Sequence, residues 1–155
     1  MSDSIKSQLH TALTAAMKAR DELVVSALRQ ALSAIAVAET AGEEAVVLSD
    51  EQVVAELAIE VRKHHETADA FVTAGRPVRA ERSRAEAAVL EAYLPAALTD
   101  DDLQRLIGEE IAAAAAGGAE GMKAMGRVVA AVRAKAGPTA DGAKIAAMVK
   151  AALAG

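Results

Sequence analysis

Forty-one of the 155 residues are alanine, whereas the chain holds one phenylalanine, one tyrosine and no tryptophan. That imbalance constrains the fold more than any motif does. Alanine is the strongest helix former, and aromatic rings are among the groups a pleated sheet packs with best. A core without rings has to be filled by Ala, Val, Leu, Ile and Met. The chain is therefore predicted to be all-α. Its length suits one domain or two very small ones.

Other global features exclude whole classes of function. The absence of cysteine removes disulfides, zinc ribbons and thiol chemistry, and suits a reducing compartment. No apolar run approaches the ~18 residues of a membrane span, and Met1, Ser2, Asp3 and Ser4 lack the layout of a secretory signal. A cytoplasmic location with no membrane partner is expected. The net charge of −5 argues against a general nucleic-acid coat. It is unevenly spread: from Met122 onward there are six basic residues and one acidic, a local excess of positive charge.

Seven helices are predicted in two groups. The first opens at Ser2, Asp3 or Ser4, carries Ile5, Leu9, Leu13 and Met17 at i, i+4 spacing, and ends near Arg20. The second runs from about Glu22 to Thr40 with Val25, Leu28, Leu32 and Ile35 inward, stopped by Gly42. Ser49 and Gln52 form a capping box for the third. Its apolar arc takes in Val53, Val54, Leu57, Val61, His64, Ala68, Phe71 and Val72. Gly75 suits the C′ position and Pro77 the N1 position, which makes Gly75-Arg76-Pro77 a tight joint into a fourth helix reaching Tyr93. In that helix Val78, Ala85, Val89 and Tyr93 align. Arg82 falls inside the arc and Glu86 at its margin, a pair expected to set helix packing. Leu94-Pro95 breaks the chain, since the residue before proline leaves the α region.

Thr99 caps a fifth helix whose first turn is Asp100, Asp101 and Asp102, with Leu103, Leu106, Ile107 and Ile111 inward. A sixth, from about Glu120 to Ala136, buries Met125, Val128, Val129, Val132 and Ala136 and places Lys123 and Arg127 together on the far side. Gly137-Pro138 stops it. Thr139 or Asp141 opens a seventh with Ile145, Met148, Val149 and Ala152 inward. The predicted architecture is an N-terminal four-helix bundle over 1–94 followed by a small three-helix bundle over 95–155.

The search for chemistry is mostly negative. His64 and His65 point about 100° apart and cannot share a metal. His64 lies in an apolar arc, which favours a hydrogen-bonded core or interface histidine over a ligand. There is no nucleophile elbow, phosphate loop, cofactor site or metal site, and no catalytic residue is assigned. What remains is the basic surface formed by Lys123, Arg127, Arg133, Lys135, Lys144 and Lys150. Solvated surface is the plain reading of such charges; the acidic remainder of the chain weakens an RNA reading without cancelling a local patch.

Several groups together resemble the GatB/YqeY family, in particular its free-standing YqeY-like members. They are Leu28-Arg29; Ala74-Gly75-Arg76; Glu86, Leu90 and Tyr93-Leu94-Pro95; Met125-Gly126-Arg127-Val128; and Ala140-Asp141-Gly142. The resemblance follows the whole chain in order and spacing. It implies a four-helix bundle followed by a three-helix bundle, and kinship with the tail of the B subunit of the tRNA-dependent amidotransferase, which engages the tRNA body. It also implies, by similarity alone, carbon–nitrogen ligase activity with glutamine as amido donor. The chemistry of that family resides in a large cradle domain absent from this sequence. One departure bears on RNA binding: family members often read Gly-Arg-Ala-Asp-Gly before the last helix, where this chain has Pro138-Thr139-Ala140-Asp141-Gly142.

With that resemblance, the leading expectation is a non-catalytic adaptor that contacts tRNA or a tRNA-associated protein complex through Lys123, Arg127, Lys144 and Lys150, with Gly126 allowing close approach of a backbone or neighbouring helix and Asp141-Gly142 positioning the loop. A protein–protein module with no RNA role and a ligase subunit are the alternatives, and oligomeric state is left open.

Overall fold

The structure, a computed structural model, describes residues 3–96, 98–137 and 140–155. Ser2, Pro138 and Thr139, given punctuating roles above, lie outside the described residues. Among those described there are seven α-helices, one short 3₁₀ helix and no strand. The helices are α1 (Ile5–Ala19), α2 (Glu22–Glu39), α3 (Asp50–Thr73), α4 (Pro77–Glu91), α5 (Asp100–Ala116), α6 (Met125–Ala136) and α7 (Gly142–Ala154), with the 3₁₀ helix at Gly121–Ala124. The chain divides into two compact units, Met1–Leu94 and Pro95–Gly155.

The helix starts follow local chemistry. Ser4 and Asp21 cap α1 and α2 by accepting from Ser7 and Val24 N–H. Ser49 and Gln52 form the full reciprocal box at α3, and Thr99 with Asp102 forms another at α5. Asp141 caps α7, accepting from Ala143 and Lys144 N–H at 2.9 and 3.3 Å. At the joint after α3, Arg76 N–H reaches Phe71 carbonyl at 2.8 Å and Gly75 N–H reaches Val72 carbonyl at 3.0 Å. This pair of hydrogen bonds closes the helix only if Gly75 is left-handed, and its φ is +72°. Pro77 then takes the first position of α4.

In the first unit α3 packs chiefly on α4, and α2 touches α1, α3 and α4. The core is Leu9, Ala27, Leu28, Ala31, Ile35, Val53, Leu57 and Leu90, with Tyr93 and Leu94 against it. In the second unit, Leu103, Ile107, Ala114, Ala124, Val128, Val132, Ile145 and Val149 form a separate core. Each fully buried Leu or Val side chain contributes about 1.5–3 kcal/mol, which is what holds these aromatic-poor cores.

Three expectations are corrected. The inward face of α4 is Ala80, Ser83, Glu86, Ala87 and Leu90, whereas Val78 is 78 % exposed. Val78 misled the phase, because Ala80, Ser83 and Ala87 around the Glu86 carboxylate make up most of the buried face; Val89 and Tyr93, also expected inward, do pack against the core. In consequence Glu86 is the buried member of its pair and Arg82 the exposed one. Helix α4 also ends at Glu91, short of Tyr93: Tyr93 and Leu94 N–H bond three residues back, to Leu90 and Glu91, in a tightened final turn. Pro95 itself is exposed just beyond it. Finally, the sixth helix does not begin at Glu120. Gly121 stands at φ +60°, which an α-helix cannot include, and a 3₁₀ turn precedes Met125.

Candidate functional site

The basic residues of the second unit are not equivalent. Lys135 pairs with Glu110, and Lys144 reaches Asp100 at 2.5 Å. Glu110, by hydrogen bond and charge, holds the Lys135 ammonium above its ordinary value of 10.5. Lys123, Arg127, Arg133 and Lys150 are exposed and form no ion pair among the described residues. Of the four expected contacts, Lys144 is thus the one whose charge is already met, while Arg133 joins the free set. Lys123 sits in the 3₁₀ turn and Arg127 in α6, so the common face expected of one continuous helix no longer follows from their spacing.

Two glycines seat the arginines. A Cβ placed on Gly142 would stand 3.2 Å from the Arg133 guanidinium carbon, and one on Gly117 would stand 3.1 Å from Arg127 Nη1. Gly117 closes α5, so Arg127 rests at the negative end of that helix. The role of Asp141-Gly142 is therefore local: Asp141 ties down the first turn of α7, and Gly142 leaves room for Arg133. Gly126 has no neighbour within 4 Å of a Cβ placed on it. The close approach expected there is not made within the unit.

The first unit holds a buried polar cluster that connects three helices. Glu86, 7 % exposed, receives Arg82 Nε at 3.3 Å and Gln30 Nε2 at 3.5 Å. His64 Nδ1, from α3, lies 3.4 Å from the same carboxylate, and His64 Nε2 is buried without a partner among the described residues. His64 is a core histidine, as its place in the arc suggests. Its neighbour His65 faces outward, 2.7 Å from Glu91. Gln30, His64 and Arg82 thus bring α2, α3 and α4 side chains to one buried carboxylate. Among the described residues no three His, Asp or Glu side chains gather as a metal site.

A second anchor escaped sequence reading. Glu39, at the end of α2, takes Lys6 Nζ at 2.5 Å and the Leu48 N–H at 3.0 Å. The Lys6 hydrogen bond, then the Leu48 N–H, hold its carboxyl below the ordinary 4.5. It ties α1, α2 and the segment entering α3 together. Spacing gives no signal for it, because Lys6 and Glu39 are 33 residues apart.

The free cations and the buried carboxylates lie within a sequence that the family model described as Yqey-like protein matches over residues 6–153. No curated protein matches the chain. The matched span takes in all but the ends of the chain, including the Gly75-Arg76-Pro77 joint, the Glu86 cluster and the seats of Arg127 and Arg133. The chain belongs to the YqeY-like family.

Proposed function

We propose that the protein is a non-catalytic cytoplasmic adaptor, a four-helix bundle followed by a three-helix bundle, that contacts tRNA or a tRNA-linked complex through its second unit. The observation that carries this reading is the set of exposed, unpaired cations Lys123, Arg127, Arg133 and Lys150. Exposed cations without carboxylate partners have counterions to exchange against phosphates, and that exchange supplies most sequence-independent RNA affinity. The kinship with the amidotransferase tail, implied by the residue groups quoted above, supports the same direction. Lys144 makes a weaker contribution because binding phosphate would cost it Asp100.

A second reading, a protein–protein module, is favoured by the open groove between α2 and α3. It is floored by Ala34, Val37, Ala38 and Ala41, rimmed by Arg29, Glu56, Glu60 and Lys63, and open to solvent. The two readings separate on purification from the native cell with and without ribonuclease. Loss of every partner on ribonuclease treatment supports RNA contact; partners that survive it support the groove. Glutamine-dependent amidation by the purified chain alone would replace both with the ligase reading.

A further inference from the structure

The α3–α4 joint carries a surface for which the second-unit cations give no account. From Phe71 to Arg79 there is no acidic residue. Arg82 and Arg84 are engaged with Glu86 and Asp69, but Arg76 and Arg79 make no ion pair among the described residues. The Arg79 guanidinium stands 5.9 Å from the centroid of the Phe71 ring. Val72 and Val78 flank the turn at 52 % and 78 % exposure. The double hydrogen bond at Gly75 and the fixed φ of Pro77 hold the backbone in one conformation. These side chains are therefore displayed on a rigid backbone, so binding has to order the side chains but not the turn that carries them.

We infer that this tip is a second RNA contact, which takes an unpaired base of a folded RNA on Arg79 and the adjoining phosphate on Arg76. The inference rests on the RNA-contacting reading above and adds the class of RNA element. An exposed, unpaired guanidinium presents a planar face on which bases stack, and the nearby Phe71 ring adds an aromatic surface beside it. The two valines offer apolar walls to a base, which a duplex backbone would leave unused. An unpaired loop nucleotide supplies both the plane and the charge; a paired helix supplies only the charge.

The test is equilibrium binding of the full chain to a tRNA transcript and to a fully paired RNA duplex of equal nucleotide count. The proteins are wild type, R79A, R79K, R76A/R79A and K123A/R127A, each checked for native helicity. R79A should weaken tRNA binding about tenfold, the scale of one lost base stack. R79K, which keeps the charge but loses the plane, should recover little of it, and duplex binding should change less than about twofold. K123A/R127A should weaken both RNAs. Wild-type-like tRNA binding by R76A/R79A beside a weakened K123A/R127A would overturn the inference and leave the second-unit reading standing. Full rescue by R79K, or equal loss on the duplex, would overturn the stacking contact. No binding by wild type would overturn both.

Discussion

The Arg133 guanidinium lies against Gly142, close enough that a Cβ at Gly142 would meet its central carbon at 3.2 Å. The contact joins the last third of α6 to the first residue of α7 and explains why a glycine is placed inside a helix start. The displaced group in Gly142→Ala is the far end of a flexible side chain, and alanine is the better helix former. The substitution should therefore leave stability within about 0.5 kcal/mol of wild type. It should weaken RNA binding about two- to fivefold, because Arg133 loses its seat but keeps its charge. Urea denaturation and anisotropy titration on the same preparation check both halves.

Glu86 is the node of the first unit. Glu86→Ala leaves the buried His64 without its carboxylate neighbour, and should cost about 2–3 kcal/mol in urea unfolding. Glu86→Gln keeps the shape and one acceptor and should cost less. Arg82→Ala, removing the exposed partner, should cost under about 1 kcal/mol. Equal costs for Glu86→Ala and Arg82→Ala would contradict the assignment of the buried partner.

Glu39 makes stability depend on pH in the acid range. Its carboxyl is held below 4.5 in the folded chain, so the unfolded chain binds the proton first. The contribution is fully present above the unfolded value and is lost as pH falls through the lowered folded value. Wild type should therefore lose stability relative to Glu39→Gln as the pH is taken below 4.5. Parallel stability–pH curves for the two would refute the Lys6–Glu39 anchor.

Arg20 ends α1 in the left-handed region at φ +57°, the lone positive-φ residue other than glycine among those described. Its N–H and that of Asp21 close the helix on Met17 and Ala16. The conformation is required, and arginine adopts it at a cost. Arg20→Gly should raise stability by about 0.5–1 kcal/mol, read as an increased urea midpoint with unchanged slope.

Composition and punctuation made much of this legible. The alanine excess pointed to an all-helical chain, and the caps at Ser49, Thr99 and Asp141, the Gly75 turn and Pro77 are local chemistry that needs no partner. The inward faces of α3 and α5 were readable because large apolar residues mark them, save that Val72, placed in the α3 arc, is 52 % exposed near the helix end. That of α4 was readable only in part: Val89 and Tyr93 pack against the core, but Ala80, Ser83 and Ala87 around a buried carboxylate carry little periodic signal, and Val78 advertised the wrong side. The Lys6–Glu39 anchor, the pairing of Lys144 with Asp100 and the seats of Arg127 and Arg133 depend on side chains brought together by tertiary packing. No spacing rule reports them. The cations were visible as a cluster; which of them are free was not.

If the unpaired cations of the second unit bind RNA phosphates, tRNA affinity has to fall with salt, and K123A/R127A has to change how steeply. Wild type should bind measurably, and its log–log salt slope should exceed that of the double variant by about 1.5–2, the loss of two phosphate contacts. Absence of binding, or an identical slope in both proteins, would contradict phosphate contact by these cations.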